Sequence, residues 1–286
     1  MVSLFTKSSV LSPKYIKKKR RRFIARVLFV LVLVAIIVGT FSFVLRLSSL
    51  RIERIEVTGN TAVTQKEIID IAKADMVGSY YSLFPKDGVL FYPRDRIQND
   101  IHDNLARIDN VSVETKNWNT LVIAVAERKP YALWCTGKPM DDNDCYFMDS
   151  TGFVYAKSPS FSGNVFFRYY GGDVVGAGGI IVLKNYIPAA EFSQINALIQ
   201  SIQKLDITLV ALDSLDDGEY EAWLKNGSDA AGYGRILFNN KDPYEKTLEN
   251  LTTIWNEKIK NSLKASVPAI DYIDLRYGNK VYFKVQ

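Results

Sequence analysis

The pattern of apolar and polar positions begins with one long apolar segment near the N-terminus. Residues 27–45 are 19 consecutive uncharged residues, and none is more polar than Thr40 and Ser42. At about 1.5 Å per residue, a helix of this length crosses a hydrocarbon core of roughly 30 Å. The pattern therefore predicts a transmembrane helix. The alternatives are a buried core helix and a cleaved signal peptide, although no obvious small-x-small cleavage site follows the segment.

The first 80 residues after this segment alternate between strand and helix patterns. Thr64 and Glu67 have the spacing of a capping box, which predicts a helix start. The stretch 75–92 is rich in aromatic residues and is interrupted by Gly and Pro, so we interpret it as a packed connection. The predicted elements are a strand (50–57), a helix after Thr64, a helix after Pro93 and two strands (111–116 and 121–127).

The remaining sequence, from residue 129 onward, is mostly strand-like. Two amphipathic helices are predicted, at 189–205 and from Asp242, the expected N-cap, to about 263. The predicted strands are 131–135, 145–148, 153–155, 206–212, 219–224, 234–238 and two strands that flank Gly278-Asn279. The predicted fold class is therefore α+β, with a mostly antiparallel β domain over 129–286.

Charge is concentrated in front of the apolar segment. Residues 1–26 contain nine Lys or Arg and no acidic residue, so with a net charge of +5 the other 260 residues sum to −4. Short basic flanks stay in the cytoplasm, so we predict a cytoplasmic tail over 1–26 and an exported chain after about residue 46. The predicted topology residues are Lys17, Lys18, Lys19, Arg20, Arg21 and Arg22. Because the basic residues adjoin the span, we favour anionic lipid headgroups over nucleic acid as their partner.

The only two cysteines, Cys135 and Cys145, lie in the predicted exported part. They flank a nine-residue polar loop between two strand-like runs, where a hairpin would place them opposite each other. An exported disulfide is the favoured interpretation. Free thiols, or a metal site with the neighbouring aspartates, are the alternatives, although the loop lacks the Gly and terminal Glu of an EF-hand.

Candidate catalytic patterns are weak. The only histidine, His102, has no nucleophile motif beside it, and Ser201 and Lys204 match S-x-x-K without the other motifs of penicillin-binding enzymes. The Gly-rich stretch 171–179 is followed by β-like sequence rather than by a helix, so it predicts a turn and not a nucleotide loop. We therefore predict a non-enzymatic protein with no catalytic residue, no cofactor and no small-molecule substrate.

Three motifs resemble one family. They are I-x-V-x-G-N at 55–60, L-V-I-A-V-A-E-R-K-P at 121–130 and I-D-L-R-Y at 273–277, the last followed by a glycine turn and a strand. With the single anchor, they resemble the FtsQ/DivIB cell-division proteins. The resemblance implies a transmembrane helix over 27–45, a POTRA (polypeptide-transport-associated) domain over 50–128 and an FtsQ-type β domain over 129–286.

The resemblance also implies a function. Such a protein sits in the bacterial cytoplasmic membrane at the division septum, holds small single-pass coiled-coil partners like FtsB/DivIC and FtsL, and helps control septal wall synthesis. The residues implied to bind partners are Tyr277, Val281, Tyr282, Phe283, Lys284 and Val285. A terminal edge strand could add a partner strand, or it could be a plain edge protected by lysines. The alternative function is a POTRA-containing export or assembly factor that binds unfolded exported proteins.

Overall fold

The computed structural model describes residues 13–139, 141–161, 163, 165–174, 184–226, 232–260 and 269–285. The predicted turn at 176–179 therefore lies outside the described residues. The chain divides into two compact units, Met1–Ala126 and Glu127–Gln286, and each is considered by itself.

The first unit starts with a long helix, α1 (Pro13–Leu45). The helix begins well before the apolar run because the basic residues in front of that run are themselves good helix formers. Within the described residues, 19–45 form one helix that is long and apolar enough to cross a bilayer. Length and composition alone fit either a membrane anchor or a signal sequence.

A three-stranded sheet with two helices follows α1. Its elements are β1 (Arg54–Thr58), α2 (Gln65–Asp75), α3 (Arg94–Asn104), β4 (Ile108–Asn117) and β5 (Thr120–Glu127). The strand order is β1-β5-β4, and β1 pairs with β5 in parallel. Both helices contribute to one apolar core on this sheet, through residues such as Ile68, Ile97 and Ile101, which are fully buried. The predicted strand–helix–helix–strand–strand order is confirmed.

The helix α2 begins as its sequence predicts. The Thr64 hydroxyl oxygen accepts a hydrogen bond from the backbone N–H of Glu67 at 3.3 Å. The Glu67 carboxylate accepts one in return from the backbone N–H of Thr64 at 2.9 Å. This is a capping box, and it satisfies two backbone donors that the first turn of a helix would otherwise leave unpaired.

The connection between α2 and α3 contains a small hairpin. Its strands are β2 (Ser79–Tyr80) and β3 (Phe84–Pro85). The Phe84 and Phe91 rings lie against Phe41 near the end of α1, with ring centroids 6.4 and 6.5 Å from it. The aromatic connection thus packs on the last turns of the long helix, a contact that the sequence pattern did not predict.

The second unit is a nine-stranded mixed sheet with two helices. Its strands are β6 (Ala132–Lys138), β7 (Asp141–Met148), β8 (Val154–Lys157), β9 (Arg168–Gly171), β10 (Leu209–Ser214), β11 (Glu219–Lys225), β12 (Tyr233–Asn239), β13 (Ile270–Tyr277) and β14 (Lys280–Val285). Its helices are α4 (Ala189–Gln203) and α5 (Tyr244–Ile254), and a π-helical turn (Trp255–Lys260) continues α5.

The strand order in this sheet is β14-β13-β12-β11-β10-β9-β6-β7-β8. Five of the eight strand pairings are antiparallel, whereas β9 pairs in parallel with both β6 and β10, and β12 with β13. The α+β class is therefore confirmed, with a large mixed sheet. Among the strands that the structure describes, β14 and β8 form the two edges.

The two faces of the large sheet are buried differently. The main core includes the apolar sides of both helices, with Ile195, Leu198, Leu251 and Trp255 among its members. Successive residues of a strand point to opposite faces, so the strand β6 sends Trp134 into this core and its neighbours to the other side. That other side holds a smaller, aromatic-rich cluster around Cys135.

Two predicted boundaries were wrong. The expected nine-residue loop at 136–144 is mostly strand, because β6 and β7 continue past the cysteines with a register shift near Gly137. Asp242 was expected to be the N-cap of α5, but Pro243 occupies the cap position. The Asp242 carboxylate instead accepts a hydrogen bond from the Lys246 ammonium at 3.1 Å.

Candidate functional site

The candidate site is the edge of the large sheet formed by β14. This strand pairs with β13 in an antiparallel hairpin, and the sheet order places no described strand on its other side. In an antiparallel pair, successive residues direct their backbone N–H and C=O groups alternately toward and away from the partner strand. The outer edge of β14 therefore offers a row of backbone donors and acceptors for an added strand.

The side chains of β14 divide between two faces. Val281 packs against the main core, so Phe283 and Val285 point to the same face by alternation, where each remains more than a third exposed. On the other face, the exposed Tyr282 ring lies edge-to-face with Tyr277, with ring centroids 5.5 Å apart. The structure thus places four of the six predicted partner-binding residues in two exposed apolar patches along this edge, namely Tyr277, Tyr282, Phe283 and Val285. Val281 packs inward and Lys284 carries a charge.

The two lysines differ in their surroundings. The Lys284 ammonium donates a hydrogen bond to the Asp271 carboxylate at 2.9 Å, and this bond raises the pKa of Lys284. Lys280 lies at the hairpin turn, opposite Tyr277. The edge therefore carries positive charge at its start and a neutralised pair farther along, so the middle of the strand is its most apolar part.

The I-D-L-R-Y motif builds a rigid base for this edge. The Arg276 guanidinium donates to both carboxylate oxygens of Asp274, at 2.9 and 2.7 Å, and to Glu219 at 2.6 Å. Burial acts to raise the pKa of Asp274, but the hydrogen bonds from Arg276 outweigh it and hold the pKa below the usual range. The bidentate pair with Asp274 holds the guanidinium in place within β13. The bond from Arg276 to Glu219 ties β13 to the start of β11 and so restrains the backbone next to Tyr277.

A second structural clamp joins the E-R-K-P motif to the turn after β7. The Arg128 guanidinium donates to the Asp149 carboxylate at 2.6 Å, and both side chains are about nine-tenths buried. Asp149 also accepts hydrogen bonds from the backbone N–H groups of Thr151 and Phe153 and from the Thr151 hydroxyl. The pairing of Arg128 with Asp149 was not predicted, because no local pattern in the sequence links two positions that are 21 residues apart.

Cys135 and Cys145 are directly opposite each other in the β6–β7 pair and form a disulfide. They lie in the smaller cluster with Phe147, Phe161 and Phe166. Among the described residues, no group of three or more His, Cys, Asp or Glu side chains is arranged to hold a metal ion.

The candidate catalytic residues are not brought together by the structure. His102 is half exposed and its nearest acid is the neighbouring Asp103, at 3.4 Å. The Ser201 hydroxyl donates to the carbonyl of Ala197 in its own helix. Asp216 and Asp217, adjacent carboxylates whose position between two strand-like runs predicts a solvated turn, lie in an exposed turn. The described residues therefore contain no catalytic arrangement built on these side chains.

One acidic residue with an altered pKa was not singled out by the sequence. Asp213 on β10 lies directly opposite Glu221 on β11, and Glu221 pairs with Arg235 at 3.0 Å. Burial and the negative charge of Glu221 raise the pKa of Asp213 to about 6. Two like charges in register across a strand pair destabilise the sheet.

We expect Asp213→Asn to stabilise the protein near neutral pH by roughly 1 kcal/mol, allowing for solvent screening at a partly exposed site. A carboxyl group whose pKa is raised on folding lowers stability as pH rises from its unfolded value to about 6. The gain in melting temperature should therefore be full at pH 7.5 and shrink as pH falls below 6. A gain independent of pH would contradict this assignment, and Asp217→Asn, in the exposed turn, is the matched control.

The predicted topology residues are all in α1. The side chains of Lys17, Lys19, Arg20, Arg21 and Arg22 are exposed, and Lys18 lies in the same basic segment of the helix. The apolar side chains that follow them are also mostly exposed, for example Phe29 and Ile36. A helix that is apolar on all sides and uncovered by protein is suited to a lipid environment.

The fold defines a class of protein in which an apolar N-terminal helix leads into a POTRA-like unit and then into a larger mixed-sheet unit. Residues 50–128 match the family model of the POTRA domain, FtsQ-type. The match agrees with the resemblance of the whole chain to the FtsQ/DivIB cell-division proteins. No curated protein matches the chain.

Proposed function

We propose that this chain is a non-enzymatic, single-pass scaffold of bacterial cell division that holds small coiled-coil division proteins through β14. The observation that carries the proposal is the free strand edge in a chain that contains an FtsQ-type POTRA domain. The predicted partners are proteins like FtsB/DivIC and FtsL, and the predicted location is the cytoplasmic membrane at the septum, with both folded units outside.

The contacts of α1 support a retained anchor rather than a cleaved signal. Leu45 is only 1% exposed, and the Ser42 hydroxyl donates to the carbonyl of Leu83 at 2.6 Å. The Arg46 guanidinium donates to the carbonyl of Ser82 at 3.0 Å. Cleavage after the apolar run would remove Ser42 and Leu45 from the packing of the first unit. The disulfide is also in keeping with export to an oxidising compartment.

The mechanism we propose is strand addition. A partner strand would pair with the outward backbone groups of β14, while its side chains contact the Tyr277–Tyr282 patch on one face and Phe283 and Val285 on the other. Backbone pairing supplies affinity, and the alternating apolar contacts supply specificity. The Arg276 clamp keeps the hairpin in position before the partner arrives.

The direct test is photocrosslinking in cells from a probe at position 282, followed by identification of the attached protein. We expect one small single-pass coiled-coil protein. The matched control is a probe at Lys157, which is exposed on β8 at the opposite edge of the same sheet. The same adduct from both edges, or none from position 282, would contradict recognition at β14.

Two proline variants, Tyr282→Pro and Phe283→Pro, compare the inner and the outer backbone donors of β14. Tyr282 and Phe283 are neighbours in a regular part of the pairing, opposite Asp274 and Ile273, so their N–H groups point to opposite sides of β14. In one of the two variants the proline removes a backbone hydrogen bond to β13. In the other, called the outward variant, it removes a backbone N–H donor on the free side of β14. We expect the outward variant to fold with normal stability and lose partner binding. Unchanged binding in that variant would rule out strand addition.

The alternative function is an export or assembly factor that binds unfolded exported proteins, as POTRA-containing proteins can. The same crosslinking experiment distinguishes the two. Many unrelated exported proteins attached at position 282 would favour the alternative, because a chaperone-like surface selects for exposed backbone rather than for one partner.

A further inference from the structure

The hairpin between α2 and α3 is built onto the end of the apolar helix. The rings of Phe41, Phe84 and Phe91 form one aromatic cluster, in which the centroids of Phe84 and Phe91 are 5.3 Å apart. Ser42 and Arg46 donate hydrogen bonds to two carbonyls at the hairpin tip. The contact thus covers about one and a half turns at the end of α1.

The depth of this contact in a bilayer follows from helix length. The apolar run of 19 residues is about 28 Å long, which barely matches a hydrocarbon core of roughly 30 Å. If α1 spans the membrane, no apolar residue is left over, and Phe41 and Ser42 lie within the outer leaflet. Any side chain that packs on them lies at the boundary between acyl chains and headgroups.

The exposed surface of the hairpin is suited to that position. Tyr81 at the tip is 91% exposed. In the same segment, Val77 and Leu90 are more than half exposed, and Tyr80 and Leu83 are more than a third exposed. Tyrosine is enriched at membrane interfaces because its ring is apolar while its hydroxyl group stays hydrated. Exposed apolar side chains that are grouped in one segment are typical of a surface that contacts another protein or a membrane.

The turn at the tip has an unusual backbone. Tyr81 and Ser82 both adopt positive φ angles, 51° and 58°, a conformation that hairpin turns usually assign to Asn and Gly. A bulky residue in this conformation costs about 1–2 kcal/mol. The sequence thus places a large aromatic ring at the tip despite the strain, which points to a function for the ring outside the protein.

Backbone polar groups of the hairpin are hydrogen-bonded within the protein, as an environment with little water requires. The N–H of Leu83 donates to the carbonyl of Tyr80, and the N–H of Lys86 donates to the carbonyl of Gly78. The carbonyls of Ser82 and Leu83 receive their hydrogen bonds from the anchor itself. Polar backbone groups near lipid are costly unless they are satisfied in this way.

We propose that residues 77–91, here called the membrane wedge, are seated in the outer headgroup region of the bilayer and fix the POTRA domain at the end of its anchor. The wedge rests on the membrane-anchor part of the proposed function. Its ligand is a lipid surface, recognised through interfacial aromatic and apolar side chains. The division role and the partner edge are not needed for it.

The test uses the full chain in lipid vesicles, with a polarity-sensitive fluorophore on single introduced cysteines. Tyr81→Cys and Leu90→Cys report on the wedge, and Val34→Cys reports on the anchor. Asp103→Cys, at the exposed end of α3, is the control on the same unit. Vesicles carry nitroxide lipids, labelled either at the headgroup or on the acyl chain. The unmodified chain is treated with the same fluorophore, to check that Cys135 and Cys145 do not react with it.

We expect a blue shift and strong quenching by headgroup nitroxide at positions 81 and 90, quenching by acyl nitroxide at position 34, and neither at position 103. Quenching at 34 without quenching at 81 and 90 would overturn the wedge and leave the anchor intact. Quenching at 103 as well would overturn it in favour of a whole domain lying on the bilayer. No quenching at 34 would overturn both the anchor and the wedge.

Discussion

Asp149→Ala is expected to destabilise the second unit by about 3–5 kcal/mol, which is large enough to unfold a domain of ordinary stability. The substitution leaves the Arg128 guanidinium buried without this counter-charge. It also removes the acceptor for the N–H groups of Thr151 and Phe153, which hold the turn after β7. Urea unfolding of the full chain in detergent, followed by tryptophan fluorescence, measures the loss.

The matched control is Asp144→Ala, which breaks the ion pair with Lys157, where both side chains are more than half exposed. An exposed pair of this kind contributes about 0–1 kcal/mol, so the control should unfold almost like the unmodified protein. Equal effects for the two variants would show that burial of the Arg128–Asp149 pair has no energetic importance.

The effect of Asp149→Ala should also depend on pH. Burial alone would raise the pKa of Asp149, but the hydrogen bonds from Thr151 and Arg128 hold it below its usual range. A group with a lowered pKa stabilises the folded state above its unfolded value and loses that contribution as pH falls. The difference in the free energy of unfolding between Asp149→Ala and the unmodified protein should therefore become smaller below about pH 4.

Gly59→Ala is the second substitution with a large expected effect, a loss of at least about 2 kcal/mol in the first unit. Gly59 has a φ angle of +85°, and a Cβ at this position would lie 2.0 Å from the carbonyl oxygen of Val125. Val125 is on β5, which pairs with β1, so the clash is with sheet backbone that cannot move without breaking the pairing. Thermal unfolding and hydrogen exchange of β5 measure the effect.

Gly78→Ala is the control that separates the cost of the positive φ angle from the cost of the steric clash with β5. Gly78 has a similar φ angle, +92°, but no heavy atom lies within 4 Å of a Cβ placed there. This control should show the conformational cost alone, about 1 kcal/mol, and leave exchange in β5 unchanged. If both variants lose the same stability, close approach of the two strands is not the reason for glycine in the I-x-V-x-G-N motif.

Local signals in the sequence predicted the elements well. The capping box at Thr64 and Glu67 and the hairpin around Gly278-Asn279 each depend on residues only a few positions apart, and the structure contains both. The Cys135–Cys145 disulfide was likewise favoured from local sequence, since a hairpin would place the two cysteines opposite each other, and the structure contains this pair. The placement of β14 at a sheet edge agrees with the sequence interpretation.

Long-range partnerships were not predictable in the same way. The buried Arg128–Asp149 pair and the like-charged Asp213–Glu221 pair depend on sheet register, which no local pattern specifies. The contact between Phe41 and the 75–92 connection also required the structure, since an aromatic-rich connection is compatible with many packings. At Asp242 a local rule failed, because its carboxylate pairs with Lys246 instead of capping the helix.

The strand order of the large sheet also has a consequence for how that unit folds. The strands β6 to β8 and β10 to β12 are two meanders, in which each strand pairs with its neighbour in the chain. β9 lies between them and pairs in parallel with one strand of each, across separations of more than 30 residues. Closing a local hairpin costs little conformational entropy, whereas the two pairings of β9 each close a long loop and cost more. We therefore expect β9 to join these two meanders only after their own hairpins have closed.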